Sequence, residues 1–241
     1  MYKGAIIGGT GFEDLGLKDG KREVITTPFG QAEVFLGEEY VFISRHHHNH
    51  TIAPHLINYR ANVWALSMLE VKTVITIHEV GSITERLSPG TVGIVSDFID
   101  FSHGRANTFY DGLQFPVRHS EMSLIVNPQL ATLFTKAAAE CNLPFKEHRG
   151  IYVTTNGPRL ETSAEIRAYR TLGSDYVGMS LGTEAPLCLE LGFNYLPIAY
   201  SINWACGVNP TSLCFLSDEK TALLAQKITL CAMNTLSHFK E

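Results

Sequence analysis

Arg45 and His46 are the first residues of this chain whose types and position suggest chemistry, because they directly follow an apolar run at Tyr40–Ser44. The guanidinium of an arginine is a planar set of donors that suits an anion. Six of the ten histidines fall between positions 46 and 78, which raises the question of a metal site. Consecutive residues of an extended chain point to opposite faces, however, and no cysteine or carboxylate cluster accompanies these histidines. We therefore favour an anion contact over a metal.

A glycine-rich turn, Gly8-Gly9-Thr10-Gly11, follows the first apolar run. Glycines let the backbone approach an anion closely, and a threonine hydroxyl adds a donor. The turn lacks the third glycine of a dinucleotide fingerprint and the Lys and Ser/Thr of a Walker loop, which argues against a nucleotide-binding regulator. A tight structural turn and an anion site both remain open for this segment.

Two further polar residues stand where apolar runs end. Glu161 follows the turn at residues 156–160, where its carboxylate could accept hydrogen bonds from N–H groups of a ligand or simply favour the start of a helix. Asn203 follows the apolar run at residues 195–201, and its amide can both donate and accept.

The elements that must position these residues form an alternating pattern. Apolar, β-rich runs predict strands at residues 5–7, 40–44, 73–77, 91–95, 151–155, 175–179 and 195–201. Helical periodicity lies between several of them, at residues 55–70, from Pro128 onward, and at 161–172, 183–191 and 217–241. Strands alternating with helices indicate an α/β sandwich around a largely buried sheet. Functional groups of such folds lie where strands end.

Composition excludes several function classes. The chain has 241 residues and a formal net charge of −5, without the basic footprint of a nucleic-acid-binding protein. It contains no apolar stretch long enough to span a bilayer and no secretory h-region near Met1. Its five cysteines are widely spaced and form no CxxC pair, as expected of reduced thiols. We expect one cytoplasmic domain over residues 1–241.

The order and spacing of these motifs resemble the purine nucleoside phosphorylase / methylthioadenosine phosphorylase family. The matching segments are Ile-Ile-Gly-Gly-Thr-Gly at 6–11, Arg45-His46, Pro-His-Leu-Ile-Asn-Tyr-Arg-Ala-Asn-Val-Trp-Ala-Leu at 54–66, Gly81-Ser82, 97–100, Gly-Pro-Arg-Leu-Glu-Thr at 157–162, Gly-Met-Ser at 178–180, and Asn203. The Asn-Tyr-Arg-Ala-Asn segment is the most specific of them.

The resemblance implies a single-domain, three-layer α/β/α sandwich with a mixed central sheet, of the phosphorylase/hydrolase-like type. It also implies a homotrimeric enzyme that cleaves the N-glycosidic bond of a purine nucleoside, with inorganic phosphate as co-substrate and without cofactor or metal. Carried over residue by residue, the phosphate-binding residues are Thr10, Arg45, His46 and Ser180. The base- and ribose-binding residues are Leu160, Glu161, Met179, Asn203 and His50, and the residues expected to act in catalysis are Asn203, Glu161 and His46.

The pair Glu161 and Asn203 bears on the purine that is used. Family members that act on adenine nucleosides usually have Ser in place of Glu161 and Asp in place of Asn203. A carboxylate that accepts from N1–H suits a 6-oxopurine, so we expect inosine, guanosine or 5′-methylthioinosine as substrate, with methylthioadenosine as the alternative. His50 is expected near the 5′ end of the ribose, which leaves the 5′ substituent open.

His78 and Glu79 depart from the family pattern, which places Thr or Asn and then Ala before Gly81. A carboxylate beside a phosphate would repel it, since two like charges ~4 Å apart cost about 4 kcal/mol at an effective dielectric of 20. Glu79 could point away, be neutralised by His78 or Arg45, or occupy the phosphate subsite. In the last case the protein would be a phosphate-independent nucleoside hydrolase or a non-catalytic purine-binding homologue.

Overall fold

The computed structural model describes residues 2–9, 20–47, 51–209 and 213–240. Its strands are β1 (Gly4–Gly8), β2 (Lys21–Thr27), β3 (Gly30–Leu36), β4 (Tyr40–Ser44), β5 (Thr73–Ser82), β6 (Val92–Asp100), β7 (Phe145–Thr154), β8 (Tyr176–Gly178) and β9 (Asn194–Trp204). Its α-helices are α1 (Tyr59–Met68), α2 (Pro128–Glu140), α3 (Ser163–Thr171), α4 (Leu181–Glu190) and α5 (Asp218–His238).

All of these strands belong to one mixed sheet with the order β2-β3-β4-β1-β5-β8-β7-β6-β9. β5 also pairs in parallel with β9, so the second half of the sheet curls back on itself. β1 pairs in parallel with β4 and β5 at the centre, whereas the β2–β3, β3–β4, β5–β8 and β6–β9 pairs are antiparallel. The parallel strands β1, β4, β5 and β9 therefore end at one edge, where loops can bring side chains together.

Helices cover both faces of the sheet. One core cluster joins the sheet to the buried sides of α1 and α4, and a second joins it to α2 and α5. The expected three-layer α/β/α sandwich with a mixed sheet is thus confirmed. In the described part of the chain no helix is both long enough and apolar enough to cross a membrane.

Local sequence explains where the helices begin. Asn58, Asn127, Thr162 and Ser217 each stand at an N-cap, and their side chains accept hydrogen bonds from backbone N–H groups of the first turn. Thr162 adds a full capping box with Glu165. Because this cap fixes the start of α3, it also fixes the residue before it, which is Glu161.

The antiparallel pair β2–β3 was not expected from the sequence. Its residues are mostly exposed or partly buried, with Thr27, Ala32 and Val34 buried, and they include several charges, so they form no continuous apolar run. The remaining strands and the helices lie where the sequence pattern places them, but β5 and β6 extend to Ser82 and Asp100, beyond the expected ends at 77 and 95, and β7 begins at Phe145 instead of 151. Residues 101–127 contain neither helix nor strand.

Candidate active site

A cavity of about 290 Å³ opens at the edge of the sheet where β1, β4, β5 and β9 end. Eight of the residues singled out by the sequence line it: Arg45, His46, Glu79, Leu160, Glu161, Met179, Ser180 and Asn203. Residues 10 and 50, Thr10 and His50, lie outside the described part of the chain. His78 does not line the cavity but lies behind it, in contact with Ser180.

Arg45 is held by a buried ion pair with Glu184 of α4. Nε lies 3.0 Å from Oε1 and Nη2 lies 2.7 Å from Oε2, while Nη1 donates to the Ile77 carbonyl oxygen at 3.2 Å. Burial opposes the charge of Arg45, but the charge and hydrogen bonds of Glu184 outweigh it and raise the pKa of the guanidinium above its ordinary range. A Cβ placed on Gly9 would lie 3.2 Å from Nη1, so the glycine turn passes directly against the guanidinium.

The ring of His46 is oriented by the backbone. Its Nδ1 lies 2.7 Å from the carbonyl oxygen of Ile52. A carbonyl oxygen can only accept, so Nδ1 carries a hydrogen and donates it. Nε2 is on the side of the ring near Gly9, where an added Cβ would lie 3.9 Å away. The arginine, the histidine and the glycine turn therefore meet at one place.

Ser180 precedes the first turn of α4, and its hydroxyl joins a buried hydrogen-bonded chain. Oγ lies 2.8 Å from Nδ1 of His78, whose Nε2 lies 2.8 Å from Thr76 Oγ1, and Thr76 Oγ1 is 2.7 Å from the hydroxyl of Tyr195. Burial, and secondarily the charge of Arg45, lowers the pKa of His78 well below its usual value. The ring is therefore a neutral imidazole that carries one hydrogen.

The carboxylate of Glu79 is turned to the other face of β5. Successive side chains of a strand point to opposite faces, and Val80 packs in the α1/α4 core whereas Ile77 packs in the α2/α5 core. Glu79 shares the face of Ile77, and its Oε1 accepts a 2.6 Å hydrogen bond from the hydroxyl of Tyr200. Glu79 therefore borders the cavity, but its carboxylate lies on the opposite face of β5 from His78 and is bound by Tyr200.

Glu161 places a carboxylate in the wall of the cavity. It is 7% exposed, and Oε1 accepts a 2.6 Å hydrogen bond from Thr155 Oγ1. Burial raises the pKa of this carboxyl group, and the Thr155 hydroxyl counteracts the rise. Upstream, Gly157 adopts φ +60°, and a side chain there would collide with the sulfur of Met179. The turn before α3 therefore depends on glycine to bring Glu161 and Met179 together.

Asn203 lies at the end of β9 and is 6% exposed. Its Nδ2 donates to the Trp204 carbonyl oxygen at 2.8 Å, which orients the amide. A Cβ on Gly81 would lie 3.4 Å from that nitrogen, so the neighbouring strand leaves little space on this side. The second amide hydrogen and the Oδ1 lone pairs give Asn203 further capacity for hydrogen bonds to a ligand.

Arg105 holds the backbone next to the cavity wall, and the sequence pattern gave no sign of it. From the irregular segment 101–127 it donates to the carbonyl oxygens of Met179 (2.7 Å), Thr155 (3.3 Å) and Asn156 (2.8 Å) and to Thr183 Oγ1 (3.1 Å). It therefore ties the ends of β7 and β8 to the start of α4. No motif indicated this role, because its partners are mostly backbone oxygens.

Glu184, Thr155, Tyr200 and Tyr195 were also missed. Glu184, Thr155 and Tyr200 each hydrogen-bond to a predicted site residue, and Tyr195 reaches His78 through Thr76, so only the three-dimensional structure reveals them. Glu184 carried one signal, a charged residue within an apolar helical segment, since a buried carboxylate requires a partner. Among the described residues no group of three or more His, Cys, Asp or Glu side chains could hold a metal ion.

Comparison with known proteins agrees with this arrangement. The model of the phosphorylase superfamily matches residues 3–233. A 6-oxopurine nucleoside phosphorylase of Pyrococcus furiosus is 41% identical over 222 residues, which cover 88% of this chain and 83% of that protein. A probable S-methyl-5′-thioinosine phosphorylase of Methanocaldococcus jannaschii is 40% identical over 210 residues, covering 86% and 81%.

Among solved structures, methylthioadenosine phosphorylase from Schistosoma mansoni in complex with tubercidin superposes with a TM-score of 0.89 at 29% identity, covering 100% of this chain and 93% of that one. These similarities extend over nearly the whole chain. The protein belongs to the phosphorylase superfamily.

Proposed function

We propose that this chain is a 6-oxopurine nucleoside phosphorylase. It cleaves the N-glycosidic bond of inosine, guanosine or 5′-methylthioinosine with inorganic phosphate and releases the free base and the (methylthio)ribose 1-phosphate. One observation carries the proposal: a single cavity is lined by Glu161 and Asn203, which suit a purine, and by Arg45, His46 and Ser180, which suit an anion. The relatives named above support the same activity.

At the base, Asn203 and Glu161 take complementary parts. The transition state is a ribosyl oxocarbenium ion with negative charge moving onto the purine. An amide N–H of Asn203 at N7 binds that charge more strongly as it develops, and this differential binding lowers the barrier. The carboxylate of Glu161 accepts from N1–H of a 6-oxopurine. Adenine has no hydrogen at N1, so an ionised Glu161 disfavours it.

At the phosphate, binding depends on donors fixed before the ligand arrives. Thr10, the Arg45–His46 pair and the Ser180 hydroxyl surround the anion in this proposal, and Met179 lies against the ribose. Arg45 is oriented by Glu184, and the His46 ring is oriented by the Ile52 carbonyl. Positioning of phosphate below the anomeric carbon supplies much of the remaining rate enhancement.

The position of the Glu79 carboxylate argues against the hydrolase alternative. Its carboxylate accepts from Tyr200 on the face of β5 opposite His78, so it does not occupy the place where the anion donors meet. The methylthioadenosine alternative is disfavoured by Glu161, and the non-catalytic alternative by an intact set of lining residues. The reaction transfers no electrons, so we infer no cofactor besides the co-substrate phosphate.

We further propose that the enzyme is a homotrimer in the cytoplasm. The resemblance to a family of trimeric enzymes supports the trimer. The five cysteines form no disulfide, which suits a reducing compartment such as the cytoplasm. The segment 101–127 exposes Leu113 (87%) and Val117 (65%), as expected of a surface that another subunit covers.

The test is release of base from inosine, guanosine, 5′-methylthioinosine and methylthioadenosine, each with and without phosphate. We expect phosphate-dependent release from 6-oxopurine nucleosides, and a kcat about 10²–10³-fold lower for Asn203→Ala. Asn209→Ala, at an exposed asparagine further along the chain and outside the cavity lining, is the control. Release that is independent of phosphate would establish a hydrolase, and preference for methylthioadenosine would contradict the assigned role of Glu161.

A further inference from the structure

A row of four polar side chains runs from the interior of the molecule to the cavity. The hydroxyl of Tyr195 lies 2.7 Å from Thr76 Oγ1, which lies 2.8 Å from Nε2 of His78, and Nδ1 of His78 lies 2.8 Å from Ser180 Oγ. Thr76 and His78 are two residues apart on β5, so they share the α1/α4 face. All four residues are buried, and Ser180 is the member that reaches the cavity.

The hydrogens of this row can run in two directions. In the outward direction Tyr195 donates to Thr76, Thr76 donates to Nε2, and Nδ1–H of His78 donates to Ser180. In the inward direction every donor and acceptor is exchanged, and Ser180 gives its own hydrogen to Nδ1. The Tyr195 hydroxyl would then point its hydrogen at nothing, because within the described residues it has no hydrogen-bond partner besides Thr76. A buried hydroxyl without an acceptor is unfavourable.

The outward direction also determines what Ser180 offers to a ligand. When Oγ accepts from His78, its own hydrogen is not used by that ring and can point to the cavity; another nearby acceptor is the hydroxyl of Tyr152, which also accepts from the Ser180 backbone N–H at 3.4 Å. When Oγ donates to His78, only its lone pairs face the cavity, and they repel an anion. Charges near the ring include Glu184, whose Oε2 lies 3.8 Å from Nε2, and Arg45, which neutralises that carboxylate through two hydrogen bonds. The ring of Tyr152 packs edge-on against the His78 ring, with the two ring centroids 5.7 Å apart.

We propose that His78 is a positioning residue that fixes Ser180 as a hydrogen-bond donor to phosphate, and that Thr76 sets the required Nδ1–H tautomer. The inference rests on the proposed function insofar as Ser180 faces phosphate. It gives a role to a histidine that departs from the family pattern. His78 acts here through Ser180 and does not itself line the cavity.

The first test is the tautomer itself, which requires no activity. In ¹⁵N-histidine-labelled wild-type protein, the signals of His78 are those absent from a His78→Asn variant. We expect a protonated Nδ1 and an unprotonated Nε2 at neutral pH. A ring protonated at Nε2, or at both nitrogens, overturns the proposal whether or not the protein cleaves nucleosides.

The second test reverses the row by removing the donor at Thr76. Thr76→Val alone would leave the Tyr195 hydroxyl without its partner, so the comparison is Thr76→Val/Tyr195→Phe against Tyr195→Phe. The single variant retains the Thr76 hydroxyl as donor to Nε2. In the double variant Glu184 is the one partner of Nε2 among the described residues; its carboxylate favours a hydrogen on Nε2, so Ser180 donates to Nδ1.

We expect the KM for phosphate to be about tenfold higher in the double variant than in Tyr195→Phe, a ratio equivalent to about 1.4 kcal/mol. The KM for the nucleoside should differ by less than about twofold between them, because Ser180 does not contact the base. Equal values for phosphate, or parallel increases for both substrates, overturn the proposal. If the wild-type protein proves not to be a phosphorylase, calorimetric titration with inorganic phosphate compares the Kd for phosphate in the same two variants. Failure of the proposed function and failure of the role given to His78 are therefore distinguishable.

Discussion

At Glu161, burial and one hydroxyl decide the charge of the carboxylate that faces the cavity. Burial raises the pKa of this group because it removes water from the charged form, and the hydrogen bond from Thr155 favours the charged form. The ionised carboxylate is the form that accepts from N1–H. As the pH falls, activity on a 6-oxopurine nucleoside should therefore be lost at a higher pH than it would be if Glu161 had the pKa of an ordinary glutamate.

Thr155→Val removes the hydrogen bond that favours the charged form, so the pKa of Glu161 rises further. We expect the acid limb of the kcat/KM profile to move to higher pH, and kcat/KM on the acid side to fall about tenfold. Thr132→Val, an exposed threonine of α2, is the control and should leave the profile unchanged. An acid limb that stays in place or moves to lower pH would contradict the role given to this carboxylate.

Glu184 holds Arg45 from a fully buried position that does not line the cavity. Glu184→Gln leaves the buried guanidinium without a balancing charge, and we expect a loss of about 3–5 kcal/mol in the free energy of unfolding, measured by urea denaturation. Glu165→Gln breaks an ion pair with Arg159, which is 68% exposed, and serves as the control with an expected loss below about 1 kcal/mol. Similar losses of unfolding free energy in both variants would show that the buried Arg45–Glu184 pair stabilises the fold no more than the exposed Arg159–Glu165 pair does.

At the scale of elements, the sequence indicates the central strands and the helices because both produce apolar patterns. It also indicates Arg45, Glu161 and Asn203, since a polar residue after an apolar run marks a strand end. It does not indicate the β2–β3 hairpin, whose half-exposed strands have no such pattern. Nor does it reveal that Glu184 pairs with Arg45, which lies 139 residues away in the chain.

The most specific family motif, Asn-Tyr-Arg-Ala-Asn at the start of α1, is structural in this protein. Asn58 caps α1 and donates to the Phe29 carbonyl oxygen in the β2–β3 turn. The Tyr59 hydroxyl donates to the Pro54 carbonyl oxygen, and Arg60 pairs with Asp111. These contacts join α1 to the β2–β3 turn, to the residues just before α1 and to the segment 101–127. A sequence motif can thus identify a family through residues that hold the scaffold rather than through those that meet the ligand.

Arg105 binds the irregular segment 101–127 to Thr155 and Met179, the residues that directly follow β7 and β8. Arg105→Lys keeps the charge but cannot reach four acceptors at once, so we expect a loss of about 2–3 kcal/mol in the free energy of unfolding and a lower kcat/KM. Arg118→Lys is the control, because it lies exposed in the same segment over the ring of Tyr110. Full activity of Arg105→Lys would mean that the segment is held by its other contacts.

At the scale of the whole molecule, the exposed apolar residues of segment 101–127 bear on assembly. Sedimentation equilibrium should give a mass about three times the 26.7 kDa of the chain. Leu113→Asp/Val117→Asp should shift the distribution toward monomer, because charged groups resist burial between subunits. Leu223→Asp, on the exposed side of α5 at 55% exposure, is the control. A monomeric wild-type protein, or a double variant of unchanged mass, would contradict the trimer or the surface assigned to it.

The Arg45–Glu184 pair has a consequence for how phosphate would reach the proposed site. The cation nearest the cavity already has its charge balanced inside the fold, and the chain as a whole carries a net charge of −5. No long-range attraction therefore steers phosphate from solution, and ionic strength should have little influence on its association rate. Recognition then depends on directed hydrogen bonds over a few ångströms.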